Sequence, residues 1–270
     1  MRIWHQSYTD LTRLPGYAGM MTKHASKVCD PTTEVDLHGI APGSLPEGVP
    51  PVTSIGFRHA RQLIDLQIIE NAVIAEREGY DAVAISCFLD PGLEEARSLV
   101  DIPVVSSCEA ALLMSSLVGR SFGLIALDRA MANHVRTLVA RYGFHARVAT
   151  VETLDPPMDE HQLDSAFAGS TAFVSGFEIQ ARRLIAAGAD VIIPAEGVLN
   201  TALVSNGVRQ FDGVPVLDSY GTLLMLTETI VRLRKKSGLD VSRVGAYARP
   251  PAGMLSSLRG MAAQALLRKT

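Results

Sequence analysis

Cysteine is scarce. The 270-residue chain holds three, Cys29, Cys87 and Cys108, too few and too scattered for a disulfide framework. No apolar run reaches the roughly 18 residues of a membrane-spanning helix, and the opening residues lack a basic-then-apolar leader pattern. A strong excess of one charge is also missing. The formal net charge is −3, the pI is near 6.2, and no basic block is longer than Arg232 to Lys236. Those values argue against nucleic acid or an anionic membrane as the main partner. The seven histidines show no HxxxH or HxH spacing, so no metal site is read. There is no GxSxG, no GxxxxGK(S/T) and no strand-following GxGxxG. The expectation is a cytoplasmic protein with no nucleic-acid or membrane partner. A homo-oligomer is expected because that state is common among soluble enzymes.

What is present is globular composition, 47% hydrophobic and 20% charged, enough for a buried core. Short β-rich runs at Met1–His5, Asp81–Ser86, Ile102–Val105, Ser121–Leu127, Val148–Val151, Asp190–Ile193 and Val214–Leu217 alternate with helix-length stretches. The stretches are Phe57–Glu78, Leu93–Val100, Glu109–Val118, Ala130–Tyr142, Gly176–Ala187 and Gly221–Ser237, with apolar residues three and four apart. The strand runs lack period-two alternation, as strands covered on both faces do. An α/β fold of mainly parallel sheets flanked by helices follows. Three Pro-rich stretches, Ile40–Thr53, Thr153–Asp159 and Ala248–Gly253, read as loops. The first is expected to be a surface connection, with an active-site lid as the alternative.

The chain also repeats itself. Gly79-Tyr80-Asp81-Ala82-Val83-Ala84-Ile85-Ser86-Cys87 aligns without gaps on Gly188-Ala189-Asp190-Val191-Ile192-Ile193-Pro194-Ala195-Glu196. Asp101–Ser107 follows the first copy at nearly the distance at which Asp212–Ser219 follows the second. Two βαβ units of one design imply two pseudo-symmetric lobes, drawn as residues 1–105 with 218–270 and residues 106–217, with the active site in the cleft between them. Gly-x-Asp before a strand is a cheap pattern, so chance similarity of α/β units is the competing explanation.

The repeat puts Cys87 and Glu196 at equivalent places, just past the C-terminal ends of two strands, where open α/β sheets bind ligands. A thiol and a carboxylate facing each other suit moving a proton onto and off carbon. Asp90 and Pro91 look like a helix start, and a thiol beside a helix N-terminus is expected to have a lowered pKa. The bland alternatives are a buried packing thiol and a surface carboxylate. Gln6, Ser7, Phe88, Leu89, Ser106, Ser107 and Gly197 are the candidates for substrate contact, whereas Cys108 is expected to pack.

At these residues the chain resembles the aspartate/glutamate/hydantoin racemase superfamily. The segments that carry the resemblance are Asp81–Leu93 (DAVAISCFLDPGL), Val100–Ala111, Arg120–Leu127 and Gly188–Leu199, within roughly residues 1 to 225. The run from Cys87 to Leu93 is similar to the hydantoin racemase branch. The resemblance implies two α/β lobes around a cofactor-free site for small carboxylates or cyclic amides, with one catalytic cysteine from each lobe. Cys87 matches the first, and Glu196 stands where the second is found. The opening Met1–Tyr8 also departs from the Asn-Pro-Asn-Thr type of first turn.

A thiol near pKa 8.5 and a carboxyl near 4.3 are mismatched by about 6 kcal/mol. Burial of the glutamate and a helix terminus at the cysteine would narrow that gap. Racemisation or epimerisation at an acidic α-carbon is therefore the expected activity. The alternatives are one-way chemistry (decarboxylation, cis-trans isomerisation or ring-opening hydrolysis) and a non-catalytic binding protein.

Overall fold

The glycines of the repeat are helix stops. The computed structural model describes residues 1–168 and 171–267. In it, helices Arg58–Arg77 and Ala172–Ala186 run out at Gly79 and Gly188, whose φ angles are +78° and +92°. That left-handed conformation carries no Cβ penalty in glycine. The closing bonds match: Tyr80 N donates to Ala75 O at 3.1 Å, and Ala189 N to Leu184 O at 3.0 Å. The aspartate that follows then ties down the start of a neighbouring strand. Asp81 Oδ2 accepts from Arg2 N at 2.8 Å; Asp190 Oδ2 accepts from Arg120 N at 3.0 Å and Ser121 N at 3.1 Å.

In chain order the main elements are β1 (Arg2–Ser7), α1 (Pro15–Val28), β2 (Glu34–His38), α2 (Pro51–Ile55), α3 (Arg58–Arg77), β3 (Ala82–Ser86), α4 (Leu93–Leu99), β4 (Val104–Ser106), α5 (Ser107–Val118), β5 (Phe122–Ala126), α6 (Arg129–Arg141), β6 (Val148–Thr153), α7 (Glu160–Asp164), α8 (Ala172–Ala186), β7 (Val191–Pro194), α9 (Gly197–Ser205), the short hairpin β8 (Gln210–Phe211) and β9 (Val214–Pro215), α10 (Ser219–Ser237) and α11 (Met254–Leu267). One parallel sheet has the order β2-β1-β3-β4 and the other β6-β5-β7. A parallel bridge from Ile192 to Val216 extends the second sheet. Position for position, β1, β3 and β4 match β5, β7 and Val216. The architecture is α/β with parallel sheets flanked by helices, as expected from the alternation of runs.

Every residue of β3, β5 and β7 is buried, which is why those segments show no alternation. Gly123 of β5 lets α8 approach closely: a Cβ there would lie 2.7 Å from Leu184. Helix α10 packs on α1, α5, α9, β3 and β4, and its first residue reaches the other sheet, with Ser219 Oγ donating to Pro194 O at 3.2 Å. Among the described residues no helix is long and apolar enough to cross a membrane.

Several elements were absent from the sequence reading, α7 among them. β2 is an edge strand with no fully buried residue. α9 is apolar on most sides and buried over Val198–Leu203, so it shows no amphipathic stripe. α1 buries only Tyr17, Met21 and Ala25. The end of the first Pro-rich stretch also departs from expectation, since Pro51 and Ile55 form α2 rather than loop.

Candidate active site

The chain leaves β3 and β7 at the same edge of their sheets, and both exits lead to one place. Cys87 and Glu196, 7% and 9% exposed, line one narrow cavity of about 30 Å³, room for roughly two waters. Ser7, Tyr8 and Thr9 reach it from the end of β1, and Phe88 and Leu89 follow Cys87 into it. Tyr17 from α1, Met131 from α6, Glu160 at the start of α7 and Gly197 and Val198 from α9 complete the wall with Pro51 and Ile55. The end of the first Pro-rich stretch therefore reaches the cavity wall through Pro51, with Ile55 just beyond it. It is tied down by Val52 N donating to Glu160 Oε2 at 3.1 Å and by a 3.2 Å contact between the Tyr8 and Ser54 hydroxyls.

Of the candidate residues, Cys87, Glu196, Ser7, Phe88, Leu89 and Gly197 come together here, while Gln6, Ser106 and Ser107 do not line the cavity. The pleat explains Gln6, because its side chain leaves β1 on the face opposite to Ser7. There Gln6 Oε1 accepts from Trp4 Nε1 and Asn71 Nδ2, both at 3.0 Å. Ser106 Oγ donates to Asp90 Oδ1 at 2.6 Å, and Ser107 Oγ to Ile85 O at 3.3 Å. Cys108 is fully buried in α5, a packing thiol as expected.

The expected helix start at Asp90 is corrected. α4 begins at Leu93, behind a left-handed Gly92, and Asp90 itself has φ +45°. The Asp90 carboxylate instead serves α5, accepting from Cys108 N at 2.9 Å, Glu109 N at 3.0 Å and the Tyr142 hydroxyl at 2.7 Å. Asp90 therefore satisfies the first N–H groups of a helix other than the one it precedes. α4, the helix expected to serve Cys87, starts six residues past it, and the expected lowering of the thiol pKa is corrected to a rise. Burial pushes the thiol well above its usual range, and the Asp90, Glu196 and Asp65 carboxylates push the same way; an N–H bond from Leu89 only partly opposes them. Cys87 rests as a thiol.

Glu196 has the helix terminus. It caps α9, with Oε2 accepting from Leu199 N at 2.6 Å. Burial raises its pKa, while the N–H groups of Leu199, Val198 and Gly197 favour the anion. Gly197 is required by crowding, since a Cβ there would lie 2.6 Å from the Tyr17 hydroxyl.

Among the wall residues that were missed are Glu160, Tyr17, Tyr8 and Met131. The sole local signal for Glu160 was the capping box of Asp159 and Gln162, which marks a helix start but not where its side chains point. Behind Leu89 lies a larger hollow of about 550 Å³ whose lining includes Arg61, Asp65, His134 and Tyr142. His134 contacts Arg61 Nη1 through Nδ1 at 2.9 Å and Leu89 O through Nε2 at 3.1 Å. Because arginine only donates, Nδ1 accepts and Nε2 carries the hydrogen that holds the Cys87 loop. Another hollow, about 740 Å³ beside Trp4 and His38, contains neither Cys87 nor Glu196. Among the described residues no group of three His, Cys, Asp or Glu is placed to hold a metal ion.

The family model described as Asp/Glu/Hydantoin racemase matches residues 43–227. A hydantoin racemase of Paenarthrobacter aurescens is 31% identical over 192 residues, 70% of this chain and 76% of the relative. The allantoin racemase of Klebsiella pneumoniae superposes with a TM-score of 0.76 at 23% identity, covering 96% of this chain and 98% of that one. The allantoin racemase of Pseudomonas fluorescens gives 0.73 at 24% identity, covering 93% and 97%. These two likenesses establish the fold.

Proposed function

Because the chain belongs to the Asp/Glu/hydantoin racemase family, we propose that it is a cofactor-independent racemase or epimerase acting at the acidic α-carbon of a small hydantoin-like cyclic amide. The observation that carries this reading is the meeting of Cys87 and Glu196, each just past a strand of a different sheet, in one narrow cavity. Glu196, as the carboxylate, takes the α-proton: the C–H bond breaks, an O–H bond forms, and the electron pair passes into the adjacent carbonyl. Cys87 then gives its S–H proton to the other face of the carbon and is left as the thiolate. Return of one proton from Glu196 and one to Cys87 resets the pair.

Two features support an uncharged ring over a free amino-acid carboxylate. The wall contains no lysine, arginine or histidine, and it already contains two carboxyl groups, Glu160 and Glu196. An anionic substrate would enter with no cation to pair with. A hydantoin ring has seven non-hydrogen atoms and does not fit about 30 Å³, so binding requires the wall to widen.

The inequality of the two groups favours a second reading. A thiol held protonated on one side and a carboxylate on the other also suits one-way chemistry, with Cys87 as terminal acid or as nucleophile. Proton NMR in deuterium oxide with 5-substituted hydantoins, amino acids and substituted malonates separates the two. Loss of the α-proton signal without new products is the expected result. New product signals would replace the racemase reading by a lyase or hydrolase.

A further inference from the structure

Two carboxyl groups share the cavity, and the reaction written above uses one. Glu160 is 5% exposed and Glu196 9% exposed. Among the described residues neither takes part in an ion pair. Like charges in one water-poor space cannot both be sustained without a cation, so such a pair retains a proton. The surroundings decide which partner keeps it. Glu196 sits on the N-terminus of nine-residue α9 and draws on three N–H groups, which stabilise an anion. Glu160 has two, its own and that of Val52 from the covering segment, and stands on no helix of that length.

We infer that Glu160 is the proton-holding partner of Glu196: it stays a neutral carboxylic acid while Glu196 works as the carboxylate, and it keeps a second negative charge out of the cavity in which the substrate's carbanion must form. Glu160 acts through Glu196 and through the charge of the site, so it is a positioning residue. The inference rests on the proposed proton transfer for its kinetic consequence, but not for its protonation state.

The titratable groups that face Glu160 across the cavity are Glu196 of α9, Tyr17 of α1, Tyr8 at the end of β1 and Cys87 past β3, with Asp159 preceding it in its own loop. None is a cation. Burial first, and Glu196 second, push the Glu160 carboxyl up to about 8, in keeping with a group neutral at pH 7. Ionisation above that pH puts two negative charges against a forming carbanion, and the rate is expected to fall.

The test is Glu160→Gln, which keeps an oxygen for the Val52 N–H and cannot ionise. The probe is a 5-substituted hydantoin in deuterium oxide, corrected for uncatalysed exchange. Wild-type kcat/KM is expected to fall from near pH 8 by about tenfold per pH unit, while E160Q stays within about threefold of its pH 7 value at pH 9. An unchanged basic limb in an active E160Q protein would overturn the inference, because a purely structural role for Glu160 predicts that result. The second readout needs no substrate. The infrared spectrum of wild type minus E160Q is expected to show a carboxylic-acid C=O band at pH 7 that is lost around pH 8; its absence at pH 7 overturns the inference. If no hydantoin exchanges, the proposed function fails and the infrared band alone decides. If E160Q does not fold, wild-type protein carrying 13C-carboxyl glutamate gives the same reading, with a protonated glutamic-acid band at pH 7 required.

Discussion

The exits of β3 and β7 begin alike and end as opposites. Both strands follow a helix, a left-handed glycine and an aspartate that ties down the neighbouring strand. After β7 the helix starts at Gly197, and Glu196 is its cap. After β3 the helix waits until Leu93, and the helix-capping carboxylate, Asp90, lies three residues past Cys87 and serves α5 instead. Burial raises both groups, but the same frame gives Glu196 the opposing N–H groups of its own helix and leaves Cys87 with one N–H from Leu89 and nearby carboxylates that push it further up.

Removing one side altogether breaks the comparison hardest. Cys87→Ala is expected to lower α-proton exchange by about 10²- to 10⁴-fold while the circular dichroism spectrum stays that of wild type; a loss of only a few fold would take Cys87 out of the chemistry. Next comes the carboxylate that distinguishes the Cys87 side. Asp90→Asn removes the charge shared by Cys108 N, Glu109 N, Ser106 and Tyr142, and is expected to cost about 2 kcal/mol, read as a fall in Tm of roughly 4–8 °C.

A pH series sharpens the Glu196 side. The folded-state pKa of Glu160 lies above its unfolded value, so the native state binds more protons between the ordinary carboxyl range and about 8. Its stabilising contribution is whole at low pH and is lost as pH rises through about 8. The slope from one proton is at most about 1.4 kcal/mol per pH unit. Tm of wild type should therefore decline over that window relative to Glu160→Gln; parallel curves would remove the shift. The smallest effect is expected from His134→Ala, which frees the carbonyl of Leu89 behind the thiol. It should cost about 0.5–1.5 kcal/mol in urea unfolding and slow exchange by less than tenfold.

The central strands were readable because each is buried on both faces and bounded by glycine, and the helices of clear amphipathic period came with them. β2 escaped because an edge strand half open to solvent lacks that apolar run; α9 escaped because a helix buried on most sides has no stripe. At the site, the repeat alone located Cys87 and Glu196. Glu160 was invisible, since its partner Val52 lies 108 residues away and no local pattern records such a meeting. The direction of the Cys87 shift was misread because Asp90-Pro91-Gly92 has the letters of a helix start while its backbone turns through two left-handed residues, Asp90 and Gly92.

Asp81 and Asp190 act at the strand beginnings, at the edge of each sheet away from the cavity. What holds each sheet in register and what meets the substrate are therefore at opposite ends of the same strands. A reacting group past the strand tips can be exchanged, thiol for carboxylate, without loosening the anchors, and the anchors can fail without touching the reacting group. A framework divided in that way lets its chemistry drift while its shape persists.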